Sequence, residues 1–227
     1  MILRYVKSLY DPRKMPPHPY CSPRRAAAAQ QTRRRILDAA AEQLRQSQGI
    51  GAFSLEGVGR AAGVTRPTVY NQFGSRRALL EAVFDDLAAR GGLHRLAAAM
   101  GDADAGAGLR RLIAIFCDFW SFDHALFASL YNAGGTGAEF EESLQARNQR
   151  RRHALAVLVG RLVDGEGKTD QGVRDELVDI LFAVTSFQFF RALSAGHRSA
   201  DEVRRMIEQI AADAVRRFSA PPAATTA

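Results

Sequence analysis

The stretch from Ala61 to Leu80, AAGVTRPTVYNQFGSRRALL, is where the chain breaks its own pattern. Its surroundings are rich in Ala, Leu and Arg and read as helix. Gly63 stops one helix, Gly74 stops another, and a very short element carrying Thr65, Arg66, Pro67, Thr68, Tyr70 and Asn71 is left between them. Pro67 is compatible with a helix only near its start, where the missing N–H has no partner to lose. A helix, a tight glycine turn and a second short helix make a helix-turn-helix pattern.

Charge points the same way. Residues 1–77 hold 14 Lys and Arg against 4 Asp and Glu, whereas residues 78–227 hold 17 against 20. The basic surplus therefore sits in the first third. It continues past the tail into Arg33, Arg34, Arg35, Arg60, Arg66, Arg76 and Arg77, which implies a segment that meets a polyanion. In a helix-turn-helix the second helix enters the major groove with its first residues against base edges. Thr65, Arg66 and Thr68 suit that position: arginine grips guanine with two bonds, and a threonine methyl meets that of thymine. Asn71 either reads a base with them or is simply solvated.

Along the chain, residues 1–25 form a Pro-rich basic arm without apolar period and are expected to be disordered. Ser22-Pro23 and Thr32 are two candidate helix starts. Ile36, Leu37, Ala40, Ala41 and Leu44 give a helical face that Gly49 ends. Ser54 caps the next helix and Ser75 a later one, whose face is Leu79, Leu80, Val83, Phe84 and Leu87. Further helices are expected near 109–121, 124–133, 138–164, 172–195 and 200–218, with a disordered tail over 219–227. No strand signal appears. The chain reads as all-α, with a three-helix helix-turn-helix domain over 26–75 and a larger helical domain over 76–218.

From Thr32 to Leu80 the sequence resembles the N-terminal domain of the tetracycline-repressor (TetR) family of bacterial regulators. The residues that carry the likeness are TRRRILDAAAEQL, the turn GIGAFS, AAGVTRPTVYNQF and SRRALL. The resemblance implies that Thr65, Arg66 and Thr68 face bases. It implies that Tyr70 and Arg76, with Ser54 from the preceding helix, hold phosphates, and that Phe73 anchors the recognition helix. Arg24, Arg25 and Arg33 are further candidates for phosphates or a minor groove, the alternative being a solvated basic face. Gly57 and Gly59 depart from the family pattern and should weaken their helix by roughly 1 kcal/mol each. Arg77 stands where an acid would better suit the helix dipole.

The resemblance also implies a dimer interface and a ligand pocket in the C-terminal half. One stripe there is Val173, Leu177, Ile180 and Val184, and a second is Val203, Ile207 and Ile210. Paired with their copies, the two helices would form a four-helix bundle; the alternative is ordinary core packing within one chain. Aromatic residues concentrate at Phe116, Phe119, Trp120, Phe127 and Tyr131, with Phe182 and Phe187 later. They form either a packed core or a pocket for an apolar or aromatic effector. Arg147, Arg150, Arg151 and Arg152 read as a solvated face, from which Arg147 or Arg151 can turn inward toward a carboxylate.

No catalytic triad, phosphate loop or metal-ligand spacing is present in the sequence, and Cys21 and Cys117 make no disulfide framework, so no enzyme, metal or cofactor is expected. The function expected is a sequence-specific transcriptional regulator. It would be a homodimer on a palindromic duplex, acting as a repressor released by an apolar or aromatic ligand. The competing reading is an architectural DNA binder whose C-terminal half only dimerises. The expected location is the bacterial cytoplasm, at the nucleoid, with no membrane span.

Overall fold

The computed structural model describes residues 23–46, 53–131, 138–163 and 171–219, and these are helical with no strand among them. Of the arm expected to be disordered, residues 23–25 instead form the first turn of a helix, and residues 1–22 lie outside the described residues, as do most of the tail and the glycine turn at 49.

The first helix, α1 (Pro23–Gln46), runs through Thr32 without restarting there. Its buried face is Ile36, Ala40 and Leu44, the i, i+4, i+8 row expected from the sequence. The next two helices, α2 (Leu55–Ala61) and α3 (Arg66–Phe73), are short, and α4 (Arg76–Arg90) follows. Ser54 and Ser75 cap α2 and α4, accepting from Gly57 N at 3.1 Å and Ala78 N at 3.0 Å. The N-terminal unit closes on Phe53, Val58, Val69, Leu79 and Leu80, all buried.

A 3₁₀ turn at Leu93–Arg95 leads into α5 (Leu96–Met100), which the apolar period did not mark. The aromatic-rich α6 (Ala105–Phe122) meets α7 (His124–Tyr131) at 90°. Asp123 sits at that corner, accepting from Leu126 N at 3.2 Å and holding Arg45 of α1 at 2.7 Å. That ion pair, with Asp123 only 13% exposed, ties the N-terminal unit to the rest.

The C-terminal half is completed by α8 (Ala138–Val163), α9 (Gln171–Val184), α10 (Phe187–Ser194) and α11 (Ala200–Ser219). The single helix expected over 172–195 is two, bent by 51°. Ser186 caps α10 by accepting from Phe189 N, and the Thr185 hydroxyl turns back to donate to Leu181 O at 2.8 Å. Hydroxyl residues that compete for backbone partners make such a break cheap. The break frees the Thr185 carbonyl, which accepts from Trp120 Nε1 at 3.0 Å in the core. Among the described residues, no single helix is long and apolar enough to cross a membrane.

Candidate functional site

The turn between α2 and α3 is built by glycines. Gly63 has φ of +65°, a left-handed conformation that costs a side-chain-bearing residue about 1–2 kcal/mol. Gly59 is a separate matter of close approach. A Cβ there would lie 3.0 Å from Val64 O and 3.4 Å from Arg66 N. The Val64 amide donates to Gly59 O at 2.9 Å across the same contact. The helix-weakening glycine at 59 thus has a reason: it lets the start of α3 lie directly against α2.

At the head of α3, Thr65 is the N-cap, accepting from Thr68 N at 3.3 Å, and its hydroxyl lies 2.9 Å from that of Thr68. Both hydroxyls remain on or near the surface. Arg66 is exposed and has no ion pair or hydrogen bond to any described residue. Tyr70 is 58% exposed, and Asn71 is exposed one position further on. Val69 is fully buried on the opposite side. One side of the helix is therefore core, while Arg66, Tyr70 and Asn71 stand in solvent.

The other basic residues divide by what they touch. Arg24 and Arg25 are exposed on the first turn of α1. Arg33 donates to Gln72 O at 3.1 Å and lies 4.2 Å from the centre of the Phe73 ring, so it holds the end of α3 against α1. Arg76 donates from Nε to Phe53 O at 3.0 Å, tying the start of α4 to the residue before the α2 cap. Arg77 pairs with Glu81 at 2.9 Å and Glu142 at 3.6 Å. These carboxylates answer the unfavourable placement of a cation at a helix N-terminus, and the second one joins α4 to α8.

Residues 36–83 match the family model for bacterial regulatory proteins of the tetR family. Over those residues the N-terminal unit is similar to the N-terminal domain of that family. Over 58 residues the chain is 45% identical to the helix-turn-helix regulator SrpR of Pseudomonas putida, which is 26% of this chain and 27% of SrpR. It is also 45% identical to the helix-turn-helix regulator TtgW of a P. putida strain, over 26% of this chain and 42% of that protein. The match thus spans less than half the length of either relative. The whole fold is similar to that of a TetR-like transcriptional regulator from Rhodococcus sp. RHA1. That comparison has a TM-score of 0.55 at 21% identity, covering 82% of this chain and 96% of the other. A transcriptional regulator from Cytophaga hutchinsonii ATCC 33406 gives a TM-score of 0.51 at 14% identity, covering 81% and 94%. Each of these relatives is named as a transcriptional regulator.

Behind the TetR-type domain lies a cavity of about 220 Å³. Its apolar wall comes from Phe84 of α4, Leu93, Leu96, and Phe116, Phe119 and Trp120 of α6. Its polar side is Tyr131 of α7 with Arg147, Asn148, Arg150 and Arg151 of α8. Of the seven aromatics expected to line a pocket, Phe116, Phe119, Trp120 and Tyr131 do so. Phe127 and Phe187 are packed behind them at 0% and 1% exposure. Phe127 lies 4.6 Å from Phe119 and 5.0 Å from Trp120, ring centre to ring centre. Phe182 packs under Arg151, its ring centre 4.2 Å from the guanidinium. The arginine run was the signal for the polar side, but its order alone does not say which members turn in. Arg147 and Arg151 do, and the carboxylate expected to meet them is present only for Arg147, which pairs with Asp85 at 2.9 Å.

The dimer stripes are placed differently from the expectation. Leu177, Val184, Val203 and Ile207 are 0–5% exposed within one chain, because α9 and α11 pack on each other and on α8 and α6. They are core, and the stripe they form is the intrachain seam. Val173, Ile180 and Ile210 are only partly buried and keep surface to offer.

Proposed function

We propose that this chain is a DNA-binding transcriptional regulator, a homodimer that represses from a near-palindromic operator in the cytoplasm and is released when its cavity is occupied. The observation that carries the reading is the head of α3. An exposed arginine with no acidic partner stands beside exposed Tyr70 and Asn71, on a helix whose other side is fixed in the core. Arg66, Thr68 and Asn71 are assigned to bases, with Thr65 as the cap that orients them. Tyr70, Arg24 and Arg25 are assigned to phosphates. Ser54, Arg33 and Arg76 carry structural contacts as well, so their phosphate contacts would use the donors those contacts leave over.

What supports release by a ligand is the route from cavity to interface. Phe84 and Ala88 of α4 line the cavity, while Leu79 and Leu80 of the same helix belong to the core under α3. A ligand shifts DNA affinity only through unequal affinity for two conformations, with coupling of about 1–3 kcal/mol. A tilt of α4 would alter the spacing of two recognition helices that must meet half-sites about 34–36 Å apart.

Selection of bound duplexes from a random pool tests the reading. Recovery of an enriched inverted repeat is the expected result. Recovery of duplexes without any shared repeat would replace the regulator with an architectural DNA binder.

A further inference from the structure

We infer that the cavity takes a small apolar monocarboxylate, whose head group sits on Arg151 and whose body lies against the aromatic wall of α6. The inference names the effector class for the ligand-responsive reading and rests on that reading for its regulatory meaning.

Arg151 is 7% exposed, one of the few buried polar or charged residues among those described. Its contacts are to neutral groups. Nη1 donates to Thr185 Oγ1 at 3.2 Å and Nη2 to Asn148 Oδ1 at 3.4 Å. Because Thr185 donates its own proton to Leu181 O, its oxygen is left as an acceptor for the guanidinium. The ring centres of Phe182 and Phe116 lie at 4.2 Å and 5.7 Å. No carboxylate among the described residues lies within ion-pair distance of Arg151. Its neighbours on α8 are treated otherwise: Arg147 pairs with Asp85, and Arg152 pairs with Asp179.

A buried charge without a counter-charge is costly, and burial pushes the Arg151 pKa down to about 10, with only Tyr131 acting to raise it. At neutral pH the guanidinium is still charged, so the chain keeps this cost while empty. The residue lines the cavity. There it is joined by the Tyr131 side chain, by Arg150, and by Arg147, whose buried Nε has no acceptor. Among the described residues no Asp or Glu lines the cavity. A planar carboxylate matches the guanidinium fork with two parallel bonds. A dianion such as a phosphate monoester would bring a second charge for which the cavity offers only Arg147, already paired with Asp85, and the exposed Arg150, so a single charge is the better match to the buried guanidinium. The volume, about 220 Å³, falls below the roughly 300–1,000 Å³ of pockets for drug-sized ligands. The body is therefore about one ring or a short alkyl chain.

The test is a fluorescence titration of the full chain, whose single tryptophan, Trp120, lines the cavity. The probes are benzoate, phenylacetate and hexanoate, each beside its own primary amide, with inorganic phosphate as a further arm. At least one acid is expected to give a saturable change and to bind roughly tenfold or more tighter than its amide, the worth of a charge-assisted bond. Arg151→Met should bind that acid and amide alike, and Arg151→Lys should keep part of the preference. Equal binding of acid and amide, tightest binding by phosphate, no response to any probe, or a preference that survives in Arg151→Met would each overturn the inference. Operator affinity is measured separately with the same acid. Binding that leaves it unchanged would refute ligand release and leave the carboxylate site standing.

Discussion

Arg66 and Arg151 both lack an acidic partner among the described residues, and their surroundings make them mean different things. Arg66, at the head of α3, stands in water, where a lone cation costs little. Elsewhere in the N-terminal half Arg33, Arg34, Arg45, Arg60, Arg76 and Arg77 have partners within the chain, while Arg24, Arg25 and Arg35 of α1 are exposed as Arg66 is. Arg151 lies under an aromatic layer, where a lone cation costs a great deal. The exposed residue is informative through its company, Tyr70 and Asn71 on a core-anchored helix. The buried one is informative by itself, because a fold has little reason to keep an uncompensated charge in its core unless something arrives to meet it.

The strongest way to break this contrast is through the layer that makes the second site apolar. Phe127 is fully buried against Phe119 and Trp120, and Phe127→Ala should lower unfolding stability by about 3–5 kcal/mol. Denaturant unfolding would show it, and a loss under about 1 kcal/mol would mean that the aromatic half is not the rigid frame described. Next comes the charge. In the ligand-free chain Arg151→Met should leave stability unchanged or raise it by up to about 4 kcal/mol, as replacing buried charge by apolar volume does. The same melting experiment on Arg151→Met would count against the contrast if stability fell by several kcal/mol.

Smaller effects sharpen the other end. Gly63→Ala should cost about 1–2 kcal/mol through the φ of +65°, with DNA binding falling in parallel as the α2–α3 turn loosens. Calorimetric melting with a duplex-binding assay on the same preparations checks both. Smallest is Arg60→Ala, which removes only an exposed pair with Glu56 at 3.4 Å and should change stability by no more than about 0.5 kcal/mol. A larger loss would mean that the surface pairs of the N-terminal unit hold it together.

The N-terminal unit was largely legible because its information is local. Ser54 and Ser75 are caps whose side chains reach three residues ahead, and Gly63 and Gly74 take positive φ. The row Ile36, Ala40, Leu44 shows its face by spacing alone. What escaped there depends on contacts between elements: the approach of Gly59 to Val64, and Arg33 bonding to Gln72 39 residues away. In the C-terminal half such contacts decide nearly everything. Leu177 and Ile207 lie on helical stripes whether the partner helix belongs to the same chain or to a copy, so period alone assigned them to a dimer. The aromatic density of α6 was plain, but Phe119 facing the cavity and Phe127 facing the core differ only in how α6 and α7 turn at Asp123. That Arg151 turns in beside Thr185 depends on a helix break that the apolar period runs straight across.

Binding of the selected duplex and of a scrambled one by the wild type and by Arg66→Ala, across a range of salt concentrations, tests most directly whether α3 reads DNA. The wild type should prefer the selected duplex, and Arg66→Ala should lose about 1–3 kcal/mol of that preference. Arg24→Ala should instead weaken both duplexes alike and lower the salt slope by about 1 for each phosphate it no longer neutralises. Arg66→Ala that discriminates between the duplexes as well as the wild type does would contradict the assignment of α3 as the reading helix.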